Sequence, residues 1–174
     1  DVCSSDLEID KTAYLSWSDV EYACELLSRK ILQSTPNTTY DAIVTIQRGG
    51  CIPGVLLSHI LNISEFYSIG IRTTLSENIK SLRLDSPIIT KEDSLQNIYN
   101  KRILVVDDVV NTGRTMQVLK ETLEKFAPLV YKTSALVWDG SYADSCPVDY
   151  YALYTPDWVV FPWEKHSPYT GDIE

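Results

Sequence analysis

Residues 104–116 read Leu-Val-Val-Asp-Asp-Val-Val-Asn-Thr-Gly-Arg-Thr-Met, and this stretch decides the fold. Its apolar, valine-rich beginning is typical of a parallel strand buried on both faces. A glycine turn and a helical pattern follow, as in the strand, loop and helix of an α/β sheet. The loop therefore lies at the carboxyl end of a buried strand, which is where open α/β sheets bind their ligands.

The polar half of this stretch has the groups that a sugar phosphate requires. When ionised, Asp107 and Asp108 only accept hydrogen bonds, which suits ribose hydroxyls or a hydrated Mg²⁺. The loop after them offers backbone N–H groups, hydroxyls, a guanidinium and the amino end of a helix, all of which favour phosphate. Either half alone is most often a solvated turn or a helix cap, whereas the two joined predict a site for a sugar with a phosphate at one end. The residues assigned to the phosphate are Asn111, Thr112, Gly113, Arg114 and Thr115.

The composition narrows the class of protein. A chain of 174 residues suits one domain, and we expect residues 1–174 to form it. The net charge of −9 argues against a nucleic-acid binder, which normally has a basic face. Four cysteines without metal-ligand spacing and only two histidines argue against a zinc site. Because no apolar run is as long as a membrane span and no signal-peptide pattern is visible, we expect a cytoplasmic protein without a membrane partner.

The hydrophobic periodicity predicts alternating strands and helices, and hence an α/β fold with a mostly parallel, twisted sheet flanked by helices. The residues from Ser18 to Glu21 have the form of a capping box that begins the first helix. Residues 1–15 are expected to be an irregular lead-in, and the polar residues 72–101 a long connection of the kind that forms lids or binding loops. The predicted helices cover residues 18–32, 55–61 and 115–126, and the predicted strands 42–46, 66–71, 103–107, 132–138 and 149–154.

Two further segments carry candidate site residues. Arg48 and Gly49 follow the first core strand, where a glycine lets backbone approach a ligand and a guanidinium presents donors to phosphate oxygens. Alone, Arg48-Gly49-Gly50 is an ordinary glycine turn, but beside the first motif it becomes a candidate diphosphate loop. Residues 157–164 read Asp-Trp-Val-Val-Phe-Pro-Trp-Glu, a composition typical of core. Yet Trp158 follows a Tyr-Thr-Pro turn, where its ring can face a flat heteroaromatic ligand.

These motifs stand in the order found in the type I phosphoribosyltransferases, and nearly the whole chain resembles the xanthine-guanine and hypoxanthine enzymes of purine salvage. The resemblance implies transfer of the 5-phosphoribosyl group of phosphoribosyl diphosphate (PRPP) to a ring nitrogen of a nucleobase, with Mg²⁺ and release of diphosphate. It implies that Arg48 and Gly49 grip the diphosphate, beside a cis peptide between Gln47 and Arg48. The implied fold is a single domain whose small hood comes from residues 138–174 and the N-terminal residues.

The same resemblance assigns roles at the base and the metal. Trp158 matches the ring that stacks on the base, and Val159 matches the residue whose backbone hydrogen-bonds the edge of the base. The metal ligands that it implies are Asp107, Asp108 and Glu164. Members of the family are often dimers or tetramers, so a homo-oligomer is expected.

Two positions depart from the family pattern. Asn111, the candidate catalytic residue, stands where 6-oxopurine enzymes have an aspartate that takes a proton, and an amide is no base near neutral pH. Trp138 stands where those enzymes have a lysine that donates to the 6-oxo group, and a missing polar partner can alter specificity strongly. Two alternatives therefore stay open: a transferase that uses a non-purine or modified base, and a PRPP-sensing regulator without catalysis. The lack of a basic cluster argues against the regulator.

Overall fold

A six-stranded sheet forms the centre of the structure, a computed structural model that describes residues 12–34, 39–74, 83–139 and 148–164. The strand order is β4-β3-β2-β5-β6-β7, in which β3, β2, β5, β6 and β7 run parallel and β4 pairs antiparallel with β3. The α/β fold with a mostly parallel sheet is therefore confirmed. The strands of this sheet are β2 (Ala42–Gln47), β3 (Glu65–Thr74), β4 (Arg83–Lys91), β5 (Arg102–Val110), β6 (Val130–Trp138) and β7 (Tyr150–Tyr154).

Within the described ranges, three α-helices cover the two faces of the sheet. They are α1 (Trp17–Ser34), α2 (Cys51–Ile60) and α3 (Arg114–Lys125). On one face, α1 and α2 pack over Ile43, Leu104 and Leu136, and on the other α3 packs over Val44 and Val105. Each central strand thus contributes apolar side chains to two cores, which is why β2 and β5 read as continuous apolar runs and not as alternating ones.

The pairing of β2 with β5 brings the carboxyl ends of the two strands together, and it is fixed by contacts at their amino ends. At the amino end of β5, the Arg102 guanidinium donates to both carboxylate oxygens of Asp41, at 3.2 and 3.0 Å. The Arg102 backbone N–H also donates to Asp41, at 2.7 Å. Ala42 then lies opposite Ile103, and the register continues to Thr45 and Val106. The carboxyl ends of the two strands, where the polar loops begin, are therefore held side by side.

A second, two-stranded sheet lies apart from the first. It consists of β1 (Thr12–Tyr14) and β8 (Trp158–Val160), which run parallel with Thr12 opposite Trp158. The prediction that residues 1–15 are irregular throughout is therefore wrong, because β1 exists through a partner near the other end of the chain. The predicted extent of the domain includes residues outside the described ranges and stays a prediction.

Several predicted boundaries are also wrong. The cap of α1 is Ser16 with Asp19, and not Ser18 with Glu21: the Ser16 N–H donates to Asp19 Oδ2 at 2.7 Å, and the Asp19 N–H donates to Ser16 Oγ at 3.2 Å. Helix α2 begins at Cys51, four residues earlier than predicted, so Pro53 lies in its first turn, where a missing N–H costs nothing.

The segment 72–101, predicted as one long connection, contains regular structure. Within it β4 pairs with β3, and a 3₁₀ helix spans Asp93–Ile98. Leu95 and Ile98 are fully buried in the core under α3. The apolar positions looked scattered because a bulged edge strand and a 3₁₀ helix follow neither simple period. None of the helices in the described ranges is long and apolar enough to cross a membrane.

Candidate active site

A cavity of about 900 Å³ opens at the carboxyl end of the sheet. Its wall includes Asp107, the complete loop 111–115 that follows β5, and the segment 155–159 that leads into β8. Thr73 and Pro87, from the β3–β4 edge of the sheet, line it as well. The structure thus brings together the predicted sugar-phosphate residues and the predicted aromatic segment, which are far apart in the sequence.

Asp107 and Asp108 lie at the end of β5 itself. Asp107 is 7% exposed, and its Oδ1 accepts the Asp108 N–H at 3.0 Å. Asp108 Oδ1 accepts the Val109 N–H at 2.8 Å. Burial and the charge of Asp108 raise the pKa of Asp107 well above its ordinary value. Burial, together with the charge of Glu164, raises the pKa of Asp108 to about 6. The pair is oriented by backbone donors, and its raised pKa values favour a ligand that brings hydroxyl donors or a cation.

The loop after β5 lines the cavity and leads directly into α3. Gly113 has φ of 77°, in the left-handed region that favours glycine, and it directly precedes the first residue of α3. The Gln117 N–H donates to the Gly113 carbonyl at 3.0 Å, so the helix begins at the edge of the cavity. Arg114 is exposed, and it lines the same wall as Thr112 and Thr115. The helix amino end, the hydroxyls and the guanidinium thus belong to one wall of the cavity, and their role toward a phosphate stays a prediction.

The loop after β2 touches the carboxylate pair directly. The Gln47–Arg48 peptide is cis, as expected from the resemblance. A β-carbon placed on Gly49 would lie 1.7 Å from Asp108 Oδ2, so only glycine leaves room for that carboxylate. Arg48 is exposed, and neither it nor Gly49 belongs to the cavity wall. This loop is adjacent to the acids but opens beside the main cavity.

The aromatic segment divides between the site and the core. Trp158 lines the cavity with 59% of its surface exposed, and Val159 lies beside it on the same strand. Phe161 is 2% exposed and stacks on Trp163, with ring centroids 4.6 Å apart and planes 9° apart. Trp17 of α1 lies against Trp163 at 5.9 Å. Phe161, which also lines the cavity, and Trp163 therefore support β8, while the Trp158 ring is left exposed in the cavity.

Glu164 stands near the acids in a fixed orientation. Its Oε2 accepts the Phe161 N–H at 2.9 Å, and it lines the cavity. Among the residues that the structure describes, no three acidic, histidine or cysteine side chains lie close enough together to hold a metal by themselves. A divalent cation that shares oxygens of a diphosphate needs only one or two carboxylates, and the raised pKa values of Asp107 and Asp108 fit such a cation.

Asn111 and Trp138, the two positions that depart from the family pattern, have one property in common. Across the described ranges, Asn111 Oδ1 and Trp138 Nε1 are the only buried side-chain polar atoms without a hydrogen-bond partner. Asn111 belongs to the cavity wall. Trp138 does not: its indole packs on Tyr151 at 4.8 Å and on Tyr154 at 5.5 Å. The indole therefore does not occupy the place of a base-contacting donor.

Other residues of the wall were missed by the sequence reasoning. Asp139 and Thr155 both line the cavity, and so does Val137. Asp139 directly follows β6, and Thr155 directly follows β7. Ligands bind at the carboxyl ends of parallel strands. Applied to every predicted strand, and not only to β2 and β5, this rule identifies both positions.

Comparison with known proteins agrees with this geometry. The family model described as the phosphoribosyl transferase domain matches residues 10–170. A xanthine-guanine phosphoribosyltransferase of Idiomarina loihiensis is 30% identical over 160 residues, which are 90% of this chain and 89% of that protein. The human phosphoribosyltransferase domain-containing protein 1 is 30% identical over 159 residues, 86% of this chain and 69% of that protein.

A solved structure shares the fold and a comparable level of identity. The crystal structure of a purine phosphoribosyltransferase from Pyrococcus horikoshii superimposes with a TM-score of 0.69 at 31% identity. The match covers 88% of this chain and 93% of that one. The family match over residues 10–170 includes the sheet, the loops at its carboxyl end and the small second sheet.

Proposed function

The chain belongs to the phosphoribosyltransferase family, and we propose that it transfers the 5-phosphoribosyl group of PRPP to a ring nitrogen of a purine base. The convergence of three features in one place carries this proposal. Asp107, the loop 111–115 before α3 and the exposed Trp158 ring line one cavity, and Asp108 lies beside Asp107. They suit the ribose, the phosphate and the flat base of a nucleotide in that order.

Asp107 and Asp108 are the central groups of the proposed reaction. Their carboxylates accept hydrogen bonds from the 2- and 3-hydroxyls of the ribose. As the bond from C1 to the diphosphate oxygen breaks, positive charge develops on the ribose ring, and two fixed negative charges beside it stabilise the transition state. Diphosphate leaves with the electron pair of that bond, and a ring nitrogen of the base forms the new bond to C1.

The two ends of PRPP are held by different loops. Residues 111–115 bind the 5-phosphate through backbone N–H groups, the hydroxyls of Thr112 and Thr115 and the guanidinium of Arg114. Arg48 and the backbone around Gly49 hold the diphosphate. The contact of Gly49 with Asp108 supports this division, because it brings the loop after β2 next to one of the two acids proposed to hold the ribose.

Mg²⁺ is the metal that fits the proposed site. Asp107 and Asp108 would hold it together with oxygens of PRPP, and Glu164, whose charge already acts on Asp108, is the third candidate. Bound there, the ion supplies charge neutralisation for the diphosphate that leaves.

The base is bound between Trp158 and the wall opposite it. The ring of Trp158 stacks on the base, and the Val159 backbone hydrogen-bonds its edge. Asn111 cannot take the proton that the nucleobase loses, because an amide does not accept protons near neutral pH. We assign Asn111 a hydrogen-bonding role toward the base and assign the proton to solvent water.

A diphosphate-release assay tests the proposal. PRPP and Mg²⁺ are mixed with the chain and with hypoxanthine, guanine, xanthine or adenine in turn, and the nucleotide product is identified. Release that depends on at least one purine supports the proposal. PRPP binding without release would favour a non-catalytic PRPP sensor, and release only with a non-purine base would favour the modified-base alternative. The homo-oligomeric state and the cytoplasmic location expected from the sequence stay predictions.

A further inference from the structure

The side chain of Gln47 connects the start of the loop after β2 to the neighbouring strand β3. Gln47 is the last residue of β2 and directly precedes Arg48 and Gly49. Its Nε2 donates a hydrogen bond to Ser68 Oγ at 2.7 Å. In the parallel pairing of the two strands Gln47 lies opposite Gly70, so Ser68 is its diagonal neighbour on the same face of the sheet. The bond therefore restrains the strand end from which the loop begins.

Ser68 is itself held in place from two directions. It lies opposite Thr45 in the pairing of β2 with β3, and its carbonyl accepts the Ser94 hydroxyl at 3.1 Å. Ser94 belongs to the 3₁₀ helix Asp93–Ile98, whose Leu95 is fully buried in the core. The hydrogen-bond acceptor of the Gln47 side chain is therefore a fixed point of the fold.

The other side of the loop packs tightly against β5. A β-carbon on Gly50 would lie 2.5 Å from the carbonyl oxygen of Val106. One on Gly49 would lie 1.7 Å from Asp108 Oδ2. Because these contacts leave no room, the loop cannot move closer to β5. It is thus bounded by β5 on one side and restrained on the other by the bond from Gln47 to β3.

We propose that Gln47 is a positioning residue for PRPP: through Ser68 it holds the loop after β2 in the conformation that binds the diphosphate. This inference rests on the proposed function, in which Arg48 and the backbone around Gly49 hold that group. Gln47 is not part of the cavity wall, so it acts through the loop and not on the ligand. A loop that is ordered in advance loses less conformational freedom on binding, and the bond therefore increases the affinity for the diphosphate end of PRPP.

Steady-state kinetics in the diphosphate-release assay, with a base that the wild-type chain uses, test this role. Gln47→Met removes the donor at nearly constant side-chain length and should raise KM for PRPP by about fivefold, as expected for one net hydrogen bond. KM for the base and kcat should stay within about twofold of wild type. Gln33→Met is the matched control, because Gln33 is exposed on α1 and outside the cavity wall.

The partner of the bond provides an independent set of variants. Ser68→Ala removes the acceptor and should raise KM for PRPP as Gln47→Met does. Ser68→Thr keeps the hydroxyl and should resemble wild type. The double variant Gln47→Met/Ser68→Ala should be no weaker than either single variant, because both substitutions remove the same bond. Fully additive losses would show that the two residues act separately and would overturn the inference.

Equilibrium binding separates the loop from the rest of the site without turnover. Inorganic diphosphate with Mg²⁺ should bind Gln47→Met about fivefold more weakly than it binds wild type. The nucleoside monophosphate formed in the assay has the sugar, the 5-phosphate and the base but no diphosphate, so its affinity should not change. A general distortion of the site would weaken the binding of both ligands alike.

Unchanged affinities for PRPP and diphosphate in a folded Gln47→Met variant would overturn the inference, and so would an equal loss of affinity for the nucleoside monophosphate. If Gln47→Met does not fold, Ser68→Ala decides by the same measurements. If no base supports diphosphate release in the wild-type chain, the proposed function fails, and diphosphate binding still decides the inference. Weaker binding by Gln47→Met would then support it, and equal binding would overturn it.

Discussion

The carboxylate of Asp108 occupies the space that a β-carbon on Gly49 would need, with Oδ2 only 1.7 Å from the position of that atom. The loop after β2 is thereby held against the end of β5, beside the proposed sugar site. The contact explains why a glycine is required at position 49 more directly than the conformational freedom of a turn does.

We therefore predict that Gly49→Ala lowers turnover by about 100-fold, because the added methyl group displaces the Asp108 carboxylate from its catalytic position. Turnover per folded molecule is measured by diphosphate release. The control is Gly54→Ala, whose β-carbon would lie 2.2 Å from the Thr45 methyl group. That clash lies in the core, so it should lower thermal stability and change turnover only a few-fold. Equal losses of turnover in the two variants would refute the proposed role of the contact.

Asp107 and Asp108 should increase the catalytic rate and decrease the free energy of unfolding. Asp107→Asn and Asp108→Asn are each expected to lower kcat by at least about 100-fold. Both variants should raise the free energy of unfolding at pH 8, by about 1–3 kcal/mol for Asp108→Asn, because each removes a negative charge from a place in the fold that raises the pKa of the carboxyl. Denaturant unfolding and turnover are measured on the same samples. Wild-type turnover in the double variant would contradict the assigned role.

The pH dependence of stability has a definite sign for this pair. Because the folded pKa values lie above the unfolded ones, the folded chain binds protons more readily. The stabilising contribution of Asp108 is fully present below its ordinary pKa of 3.8 and is lost as the pH rises through about 6. Urea titrations of the ligand-free chain between pH 5 and 8 should show this loss in the wild type and a smaller one in Asp108→Asn. Identical slopes would show that Asp108 does not titrate in this range.

Asp41 should behave in the opposite way. Hydrogen bonds from the Arg102 side chain and backbone lower the pKa of the Asp41 carboxyl. Its contribution to stability is therefore present above the ordinary value of 3.8 and is lost as the pH falls through the lowered pKa. Asp41→Asn should reduce the melting temperature at pH 7, and the difference from wild type should shrink in acid. Glu25→Gln, which breaks the exposed pair with Arg29, should have almost no effect at either pH.

Replacing Trp158 should weaken binding of the base and leave PRPP binding unchanged. Trp158→Ala removes the stacking ring, so KM for the base should rise by about tenfold while PRPP binding stays within about twofold of wild type. Trp163→Phe is the control, because Trp163 packs on Phe161 and does not itself line the cavity. It should lower stability and leave KM for the base nearly unchanged. A Trp158→Ala variant with normal KM would show that the base binds elsewhere.

The central sheet could be predicted because the information lies in local periodicity. The core strands are continuous apolar runs, and α1 and α3 repeat apolar residues at helical spacing, so their existence and type follow from the chain. The residues of the sugar-phosphate motif are contiguous, so they too could be found. The edge of the sheet was harder: β4 is irregularly paired and the 3₁₀ helix is short, and neither produces a regular period.

The motif from Asp107 to Thr115 can be identified from the sequence alone, because its residues are contiguous and span one strand end, one turn and one helix start. Contacts between distant segments depended on the folded arrangement: Gly49 against Asp108, β1 against β8, and Gln47 against Ser68. The folded arrangement also excluded Trp138 from the cavity wall and raised the pKa values of the acidic pair. The physical reason is range: propensity and periodicity act over a few residues, whereas burial, repulsion between charges and parallel pairing depend on which segments the whole fold brings together.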